Sequence, residues 1–171
     1  MPVRNYNGVS PTIGAGVFVA ETAMVIGDTV IGDGSSIWYS TVVRGDQMPI
    51  RIGMRTSIQD CSVVHVTSGV SGTIVGNDVT VGHSVTLHAC TVEDDCIIGM
   101  GSIVLDRSVI GRGSIVGAGA LVTPGTIVPP GSMVLGAPAR VKRPVTAAER
   151  AWIASSAQHY VELTRRYLAG E

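Results

Sequence analysis

The side chains best suited to chemistry in this sequence are three histidines that lie close together along the chain. Of the four histidines among 171 residues, His65, His83 and His88 lie in one short segment. Imidazole nitrogens bind transition metals, and three histidines with a fourth position left open form the ligand set of catalytic rather than structural zinc sites. Such a site needs a fold that brings separate segments side by side.

A period of six residues in the placement of Ile, Val and Leu indicates what that fold is. Six-residue blocks that begin with Ile or Val follow one another without a break from Ile13 to Val43 and from Val92 to Val134. The middle of the chain fits if extra residues are allowed at 49–51 and 70–74 and if the block at Leu87 is one residue short. The blocks then begin at residues 13, 19, 25, 31, 37, 43, 52, 58, 64, 75, 81, 87, 92, 98, 104, 110, 116, 122, 128 and 134.

This period predicts an all-β solenoid in residues 1–142. A period of six fits neither the 3.6 nor the 3.5 of helices, and Gly, which is frequent at the second block position, weakens a helix by ~1 kcal/mol each time. Short strands joined by tight corners fit it, with the first residue of each block pointing inward and Gly permitting the turn. An ordinary β-sandwich is the alternative, but its strands do not recur at one fixed short spacing.

The period ends before residue 143, and residues 143–171 are expected to form an amphipathic α-helix. Thr146 and Glu149 have the spacing of a capping box, and Gly170 marks the end. The helix must bury its apolar side against the solenoid of its own or a neighbouring subunit. That side consists of Trp152, Ile153, Ala157, Tyr160, Val161, Thr164, Tyr167 and Leu168.

The repeat converts sequence into geometry, because residues at the same position three blocks apart stack about 4.8 Å apart on neighbouring coils. Arg44, His65 and His88 all hold the second position and form a first column. Asp60 and His83 hold the third position on another face and form a second column, with Gln59 just before Asp60. His65 and His88 can therefore share a metal ion, and His83 of a neighbouring subunit could complete the site. The alternative is that these histidines pair only with each other or with carboxylates on a solvated face.

Composition excludes several functional classes. A formal net charge of -1 and 15% charged residues do not suit binding to nucleic-acid phosphates. The sequence contains no apolar stretch long enough for a signal peptide or a membrane span, so we expect a cytoplasmic protein. Three cysteines without a CxxC spacing argue against a disulfide framework, and Cys90 is expected to be a buried thiol rather than a ligand.

Several strings together resemble the gamma-class carbonic anhydrases and their close relatives among the hexapeptide-repeat proteins. They are RGD at Arg44 to Asp46, IQD at Ile58 to Asp60, the following His65, and GHxxxxH at Gly82 to His88 with Cys90 two residues on. The resemblance implies a left-handed parallel β-helix with three blocks per coil. The left hand comes from the resemblance alone, since parallel crossovers generally favour the right hand.

The same resemblance implies a homotrimer with three interfacial sites and carbon dioxide or bicarbonate as the substrate. His65 and His88 of one subunit and His83 of the next would hold zinc, with iron or cobalt as alternatives, and a metal-bound hydroxide would attack carbon dioxide. Gln59 would hydrogen-bond the metal-bound water or bicarbonate. The residues expected to join neighbouring subunits by charge-assisted bonds are Arg44, Asp46 and Asp60.

Two departures from the family pattern argue for slow turnover. Gln47 stands where the best-characterised catalysts have a glutamate, and the segment from Thr67 to Thr73 contains no acid where those catalysts have an acidic, proton-transferring loop. Two other functions therefore stay open at this point. One is an acyltransferase or thioesterase acting on acyl-CoA, and the other is a non-catalytic metal-binding module.

Overall fold

A computed structural model describes residues 2–171 as a parallel β-helix of about seven coils followed by one α-helix. The β-helix is left-handed, as the resemblance implied. Each coil contributes three short strands, so the β-helix is a prism with three faces. Within residues 2–171, no helix combines the length and the apolar character needed to cross a membrane.

The strands of two faces belong to one sheet, because β4 (Met24–Ile31) and β6 (Val42–Ile52) each continue around the corner between them. Face 1 contains the end of β4, the end of β6 and the strands β2 (Thr12–Ile13), β9 (Thr73–Val75), β12 (Thr91–Val92), β15 (Val109–Ile110) and β18 (Ile127–Val128). Face 3 contains β1 (Val3–Arg4), β4 (Met24–Ile31), β6 (Val42–Ile52), β8 (Val63–His65), β11 (Thr86–His88), β14 (Ile103–Val104) and β17 (Leu121–Val122).

Face 2 is a separate eight-stranded sheet. Its last strand runs antiparallel to its neighbour and carries Arg140, Lys142 and Arg143. The strands of face 2 are β3 (Phe18–Val19), β5 (Ser36–Ile37), β7 (Ser57–Ile58), β10 (Thr80–Val81), β13 (Ile97–Ile98), β16 (Ile115–Val116), β19 (Ser132–Leu135) and β20 (Arg140–Pro144).

Every predicted block begins on a strand residue, and the strands pair three blocks apart. On face 2, for example, Ile58 pairs with Ile37 on one side and with Val81 on the other. All of the block-initial residues except Ile13 and Val19 are buried, and these two pack against the core. The interior is therefore a stack of aliphatic side chains, as the period predicted.

The extra residues lie a few positions away from where the sequence placed them. Ile50 pairs with Thr29 and with Thr73, so the first bulge is at 46–49 rather than 49–51, and Ile50 is fully buried. The second excursion is at 67–72 rather than 70–74, since Thr73 already lies in β9. Burial of Ile50 and Thr73 explains both shifts, because these side chains fill positions in the coil.

Glycine at the second block position has a different cause from the one expected. At Gly53 an added Cβ would lie 2.6 Å from the backbone carbonyl oxygen of Gly76 on the next coil, and φ at this residue is not in the left-handed region. The limit is thus the close approach of successive coils rather than the turn itself. The left-handed residue comes two positions later, at Arg55 with φ 53°.

The helix α1 (Ala147–Ala169) packs on face 2 of its own chain. Thr146 and Glu149 form the predicted capping box, and Gly170 ends the helix in the left-handed conformation. Ile153, Ala157 and Thr164 are buried, whereas other members of the predicted apolar side are exposed, namely Trp152, Tyr167 and Leu168. Tyr167 nevertheless contacts the rings of Phe18, Trp38 and Tyr39, which tie the end of the helix to the first coils.

Replacing Ile110 by Ala should test the inward direction of the block-initial residues. Ile110 is fully buried, so I110A should lower the free energy of unfolding by about 2–5 kcal/mol through lost burial and the cavity that remains. Ile127 provides a matched control because it lies on the neighbouring strand with its side chain outside, and I127A should change stability by less than about 0.5 kcal/mol. Chemical denaturation of both variants measures this, and equal losses would contradict the assigned facing.

The stability that Glu149 contributes at the start of the helix should depend on pH. Bidentate hydrogen bonds from Arg143, supported by Thr146, lower the pKa of Glu149 from 4.5 to about 2. A depressed carboxyl pKa stabilises the fold above the unfolded value of 4.5, and this stabilisation is lost as the pH falls through about 2. Thermal unfolding should therefore separate the wild type from E149Q at pH 5 to 7 and bring the two together near pH 2. A difference that stays constant over this range would contradict the role given to the charge.

Candidate metal centre

Two of the predicted ligands stand side by side at the corner between faces 3 and 1. His65 is the last residue of β8 and His88 the last residue of β11, and parallel pairing makes the two residues direct partners across neighbouring coils. The Nδ1 atom of His65 lies 3.3 Å from the Nε2 atom of His88. The predicted stacking of these two histidines is confirmed.

Each of these imidazoles has a carboxylate at its outer nitrogen. The Nε2 atom of His65 lies 3.1 Å from Asp46, and the Nδ1 atom of His88 lies 3.3 Å from Asp106. An ionised carboxylate only accepts hydrogen bonds, so each outer nitrogen must carry the proton. In neutral rings the two inner nitrogens, His65 Nδ1 and His88 Nε2, are then both unprotonated.

The carboxylates are held in their ionised form. Burial acts to raise the pKa of Asp46, but hydrogen bonds from Arg44 and His65 outweigh it and leave that pKa below its ordinary value. The hydrogen bond from Thr67 is the main reason why the pKa of Asp106 is also lowered. Both side chains therefore remain hydrogen-bond acceptors at neutral pH.

The inner nitrogens are arranged to hold a cation. Two lone pairs directed at each other across 3.3 Å repel unless a positive charge lies between them. Two nitrogen ligands about 2.0–2.1 Å from a tetrahedral ion are themselves about 3.3–3.4 Å apart. The histidines do lie against each other and bond to carboxylates, as the alternative interpretation expected, but the direction of the carboxylate bonds also leaves a ligand pair suited to zinc.

The second predicted column lies at a different corner, between faces 2 and 3. His83 Nδ1 is 2.9 Å from the Asp60 carboxylate, and Asp60 accepts a backbone hydrogen bond from Ser84 one coil away. Half of the His83 side chain is exposed, whereas Gln59 is buried. Among residues 2–171 of a single chain, no three His, Cys, Asp or Glu side chains converge closely enough to hold a metal ion. One chain thus presents two ligands at one corner and the third candidate at another.

A cavity of about 450 Å³ lies between α1 and face 2, beside His83. Tyr160 of the helix reaches its wall, and burial, followed by the charge of Asp60, raises the pKa of this tyrosine. The side chains that line the cavity near the second column are Gln59, His83, Met100, Trp152, His159 and Tyr160. The cavity is open to solvent. His83 of the second column and Gln59 line it together with apolar side chains.

Three further residues considered in the sequence lie near the histidine pair. Arg44 forms an ion pair with Asp46 of its own chain, and the bonds between subunits that the resemblance implies for Arg44, Asp46 and Asp60 stay a prediction. Cys90 is buried in the core, as predicted, and burial raises the pKa of its thiol to about 12.

Sequence reasoning missed Asp106 and Thr67. The signal was present in the repeat, because Asp106 holds the third position of the block at Val104, one coil beyond the block of His88. In the sequence, Thr67 stands out only as the first residue of a segment that contains no acid. Neither residue belongs to either of the two predicted columns, so the periodic pattern alone did not point to them.

Comparison with known proteins agrees with this architecture. The family described as Bacterial transferase hexapeptide (six repeats) matches residues 10–45 and 89–124. A crystal structure of a putative acetyltransferase from Bacillus cereus superposes with a TM-score of 0.96 at 40% identity, covering 99% of this chain and 98% of that one.

Among curated proteins, the gamma carbonic anhydrase 2, mitochondrial, of Arabidopsis thaliana is 46% identical over 91% of this chain. The chain spans only 58% of the length of that plant relative. A probable carbonic anhydrase of Methanocaldococcus jannaschii is 49% identical over 89% of this chain, and the match covers 95% of that protein. By its repeats, its fold and these relatives, the chain belongs to the gamma-class carbonic anhydrase-like family of hexapeptide-repeat proteins.

Proposed function

We propose that this protein is a metal-dependent, gamma-carbonic-anhydrase-like enzyme that hydrates carbon dioxide reversibly at sites shared between the subunits of a homotrimer. The observation that carries this proposal is the 3.3 Å separation of two imidazole nitrogens whose outer partners leave both lone pairs facing inward. The relatives named as carbonic anhydrases support the reaction assigned to the site.

Zinc is the ion that this ligand set suits best, with iron or cobalt as alternatives that histidine also binds. His65 Nδ1 and His88 Nε2 would hold it from one subunit, and His83 of a neighbouring subunit would supply the third ligand. When bound, such an ion acidifies water and so supplies a nucleophile at neutral pH.

The surface of the chain supports an assembly through face 3. The helix covers face 2, and the outward positions of face 3 carry an apolar column that one chain leaves partly exposed. The column consists of Met24, Val42, Val63, Ile103 and Leu121, together with Thr86. The two histidine corners flank this face. Packing of three copies around an axis along face 3 therefore joins the corner of His65 in one copy to the corner of His83 in the next.

The reaction converts carbon dioxide and water into bicarbonate and one proton. Asp46 and Asp106 keep protons on the outer nitrogens of His65 and His88, so the inner nitrogens remain ligands throughout. Gln59 lies beside His83 with a side-chain amide that can hydrogen-bond the substrate or product. Gln47 cannot carry the released proton, which must leave through solvent, and this favours slow turnover.

Acyl transfer from coenzyme A is a second candidate. The cavity beside His83 is far larger than carbon dioxide, and the relative of known structure from Bacillus cereus is described as a putative acetyltransferase. A general-base histidine would suffice for that chemistry without a metal ion. Three histidines in ligand-like positions favour the hydratase.

Zinc binding in mixed trimers should reveal whether the site is shared. H83A and H65A should each lose stoichiometric zinc while remaining trimeric. If equal amounts of the two variants are unfolded, mixed and reassembled, each mixed trimer regains one complete site, which restores roughly a quarter of the wild-type zinc. Zinc analysis with light scattering measures both quantities. Full zinc in H83A alone, or none in the mixture, would overturn the two-subunit site.

Carbon dioxide hydration should separate the candidate functions. Protein purified without added ions should contain zinc and should accelerate hydration in a stopped-flow pH-indicator assay, whereas H83A should not exceed the uncatalysed rate. Zinc without hydration would instead favour a non-catalytic metal-binding module. Turnover of acyl-CoA thioesters by metal-free protein would favour acyl chemistry.

A further inference from the structure

Asp106 lies at the same corner as the histidine pair, one coil beyond His88. It follows β14, whose Val104 pairs with Leu87 of β11. The next residue, Arg107, has φ 57° and donates its backbone N–H to the carbonyl oxygen of Ala89 at 2.7 Å. This turn places the carboxylate of Asp106 beside Nδ1 of His88.

Both oxygens of this carboxylate are engaged. One oxygen accepts a short hydrogen bond from the Thr67 hydroxyl, and the other lies 3.3 Å from His88 Nδ1. The Thr67 hydroxyl itself lies 3.4 Å from the same nitrogen. Because each oxygen has a separate partner, the carboxylate cannot rotate without breaking a hydrogen bond.

We infer that Asp106 is a positioning residue, held by Thr67, that fixes the proton of His88 on Nδ1 and turns Nε2 of this ring toward His65. A carboxylate behind a metal-binding histidine sets the tautomer, orients the ring and increases its basicity. The inference rests on the proposed function for its effect on metal binding, but the tautomer of His88 is a property of the chain by itself.

Thr67 also connects the excursion at 67–72 with the histidine pair. Residues 66–72 lie between β8 and β9, whereas only residues 105–108 separate the corresponding strands β14 and β15, so the excursion adds residues that include Thr67. Thr73 donates a short hydrogen bond to the carbonyl oxygen of His65. Thr67 at the start of the excursion thus contacts Asp106 beside His88, and Thr73 just after its end contacts the backbone of His65.

Zinc affinity provides the first test of this inference. D106A should bind zinc about 10–100-fold more weakly than the wild type in competition with a chromophoric chelator. D95A is a matched control because Asp95 is a carboxylate bound to Arg112 at another corner, and its zinc affinity should be unchanged. T67V removes the hydroxyl at nearly constant volume and should also weaken zinc binding, whereas T67S keeps the hydroxyl and should restore it. Wild-type affinity in both D106A and T67V would overturn the inference.

The tautomer of His88 in zinc-free protein provides a test that does not depend on metal. Nitrogen-15 NMR at a pH where the ring is neutral should show the proton on Nδ1 of His88 in the wild type and in D95A. In D106A the proton should redistribute toward Nε2, while circular dichroism confirms that the β-helix is intact. The same tautomer in D106A and the wild type would contradict the assignment. If wild-type protein binds no zinc, the proposed function fails, and the tautomer measurement alone decides the role of Asp106.

Discussion

Parallel hydrogen bonding between successive coils holds His65 and His88 against each other, and the candidate centre depends on this register. In a parallel sheet, residues that are partners across two strands keep their side chains on the same side at the strand spacing of about 4.8 Å. A shift of one residue would turn one imidazole to the opposite side of its strand. The aliphatic block-initial residues prevent such a shift, because Val64 and Leu87, just before the two histidines, would have to leave the core.

The corner that carries the pair differs from the other two in how closely the backbone passes. At the other corners the second block position is commonly Gly, since the next coil leaves no space for a side chain. At the corner between faces 3 and 1 no coil has Gly at that position, which holds Ile26, Arg44, His65, His88, Leu105 and Thr123. The corner between faces 3 and 1 thus accepts a side chain on every coil, and Arg44 and the two stacked histidines lie there.

The repeat made the fold and the columns predictable, because a period of six fixes which residues face inward and which ones stack. The contact between His65 and His88 followed from their shared block position alone. The contacts that the sequence did not predict depend on irregular segments. Asp46 lies in the bulge at 46–49, and this irregular segment brings its carboxylate to His65 of the same chain. Asp106 and Thr67 meet through an excursion whose course no periodic rule describes.

The antiparallel strand β20 has a consequence for the end of the prism. An exposed parallel edge offers unpaired backbone groups on which another strand can add, and such edges favour fibrous association. On face 2 this edge is occupied by a strand of reversed direction bearing Arg140, Lys142 and Arg143. On this face, like charges and the reversed strand direction make the end of the solenoid a poor template for a parallel strand of a second molecule.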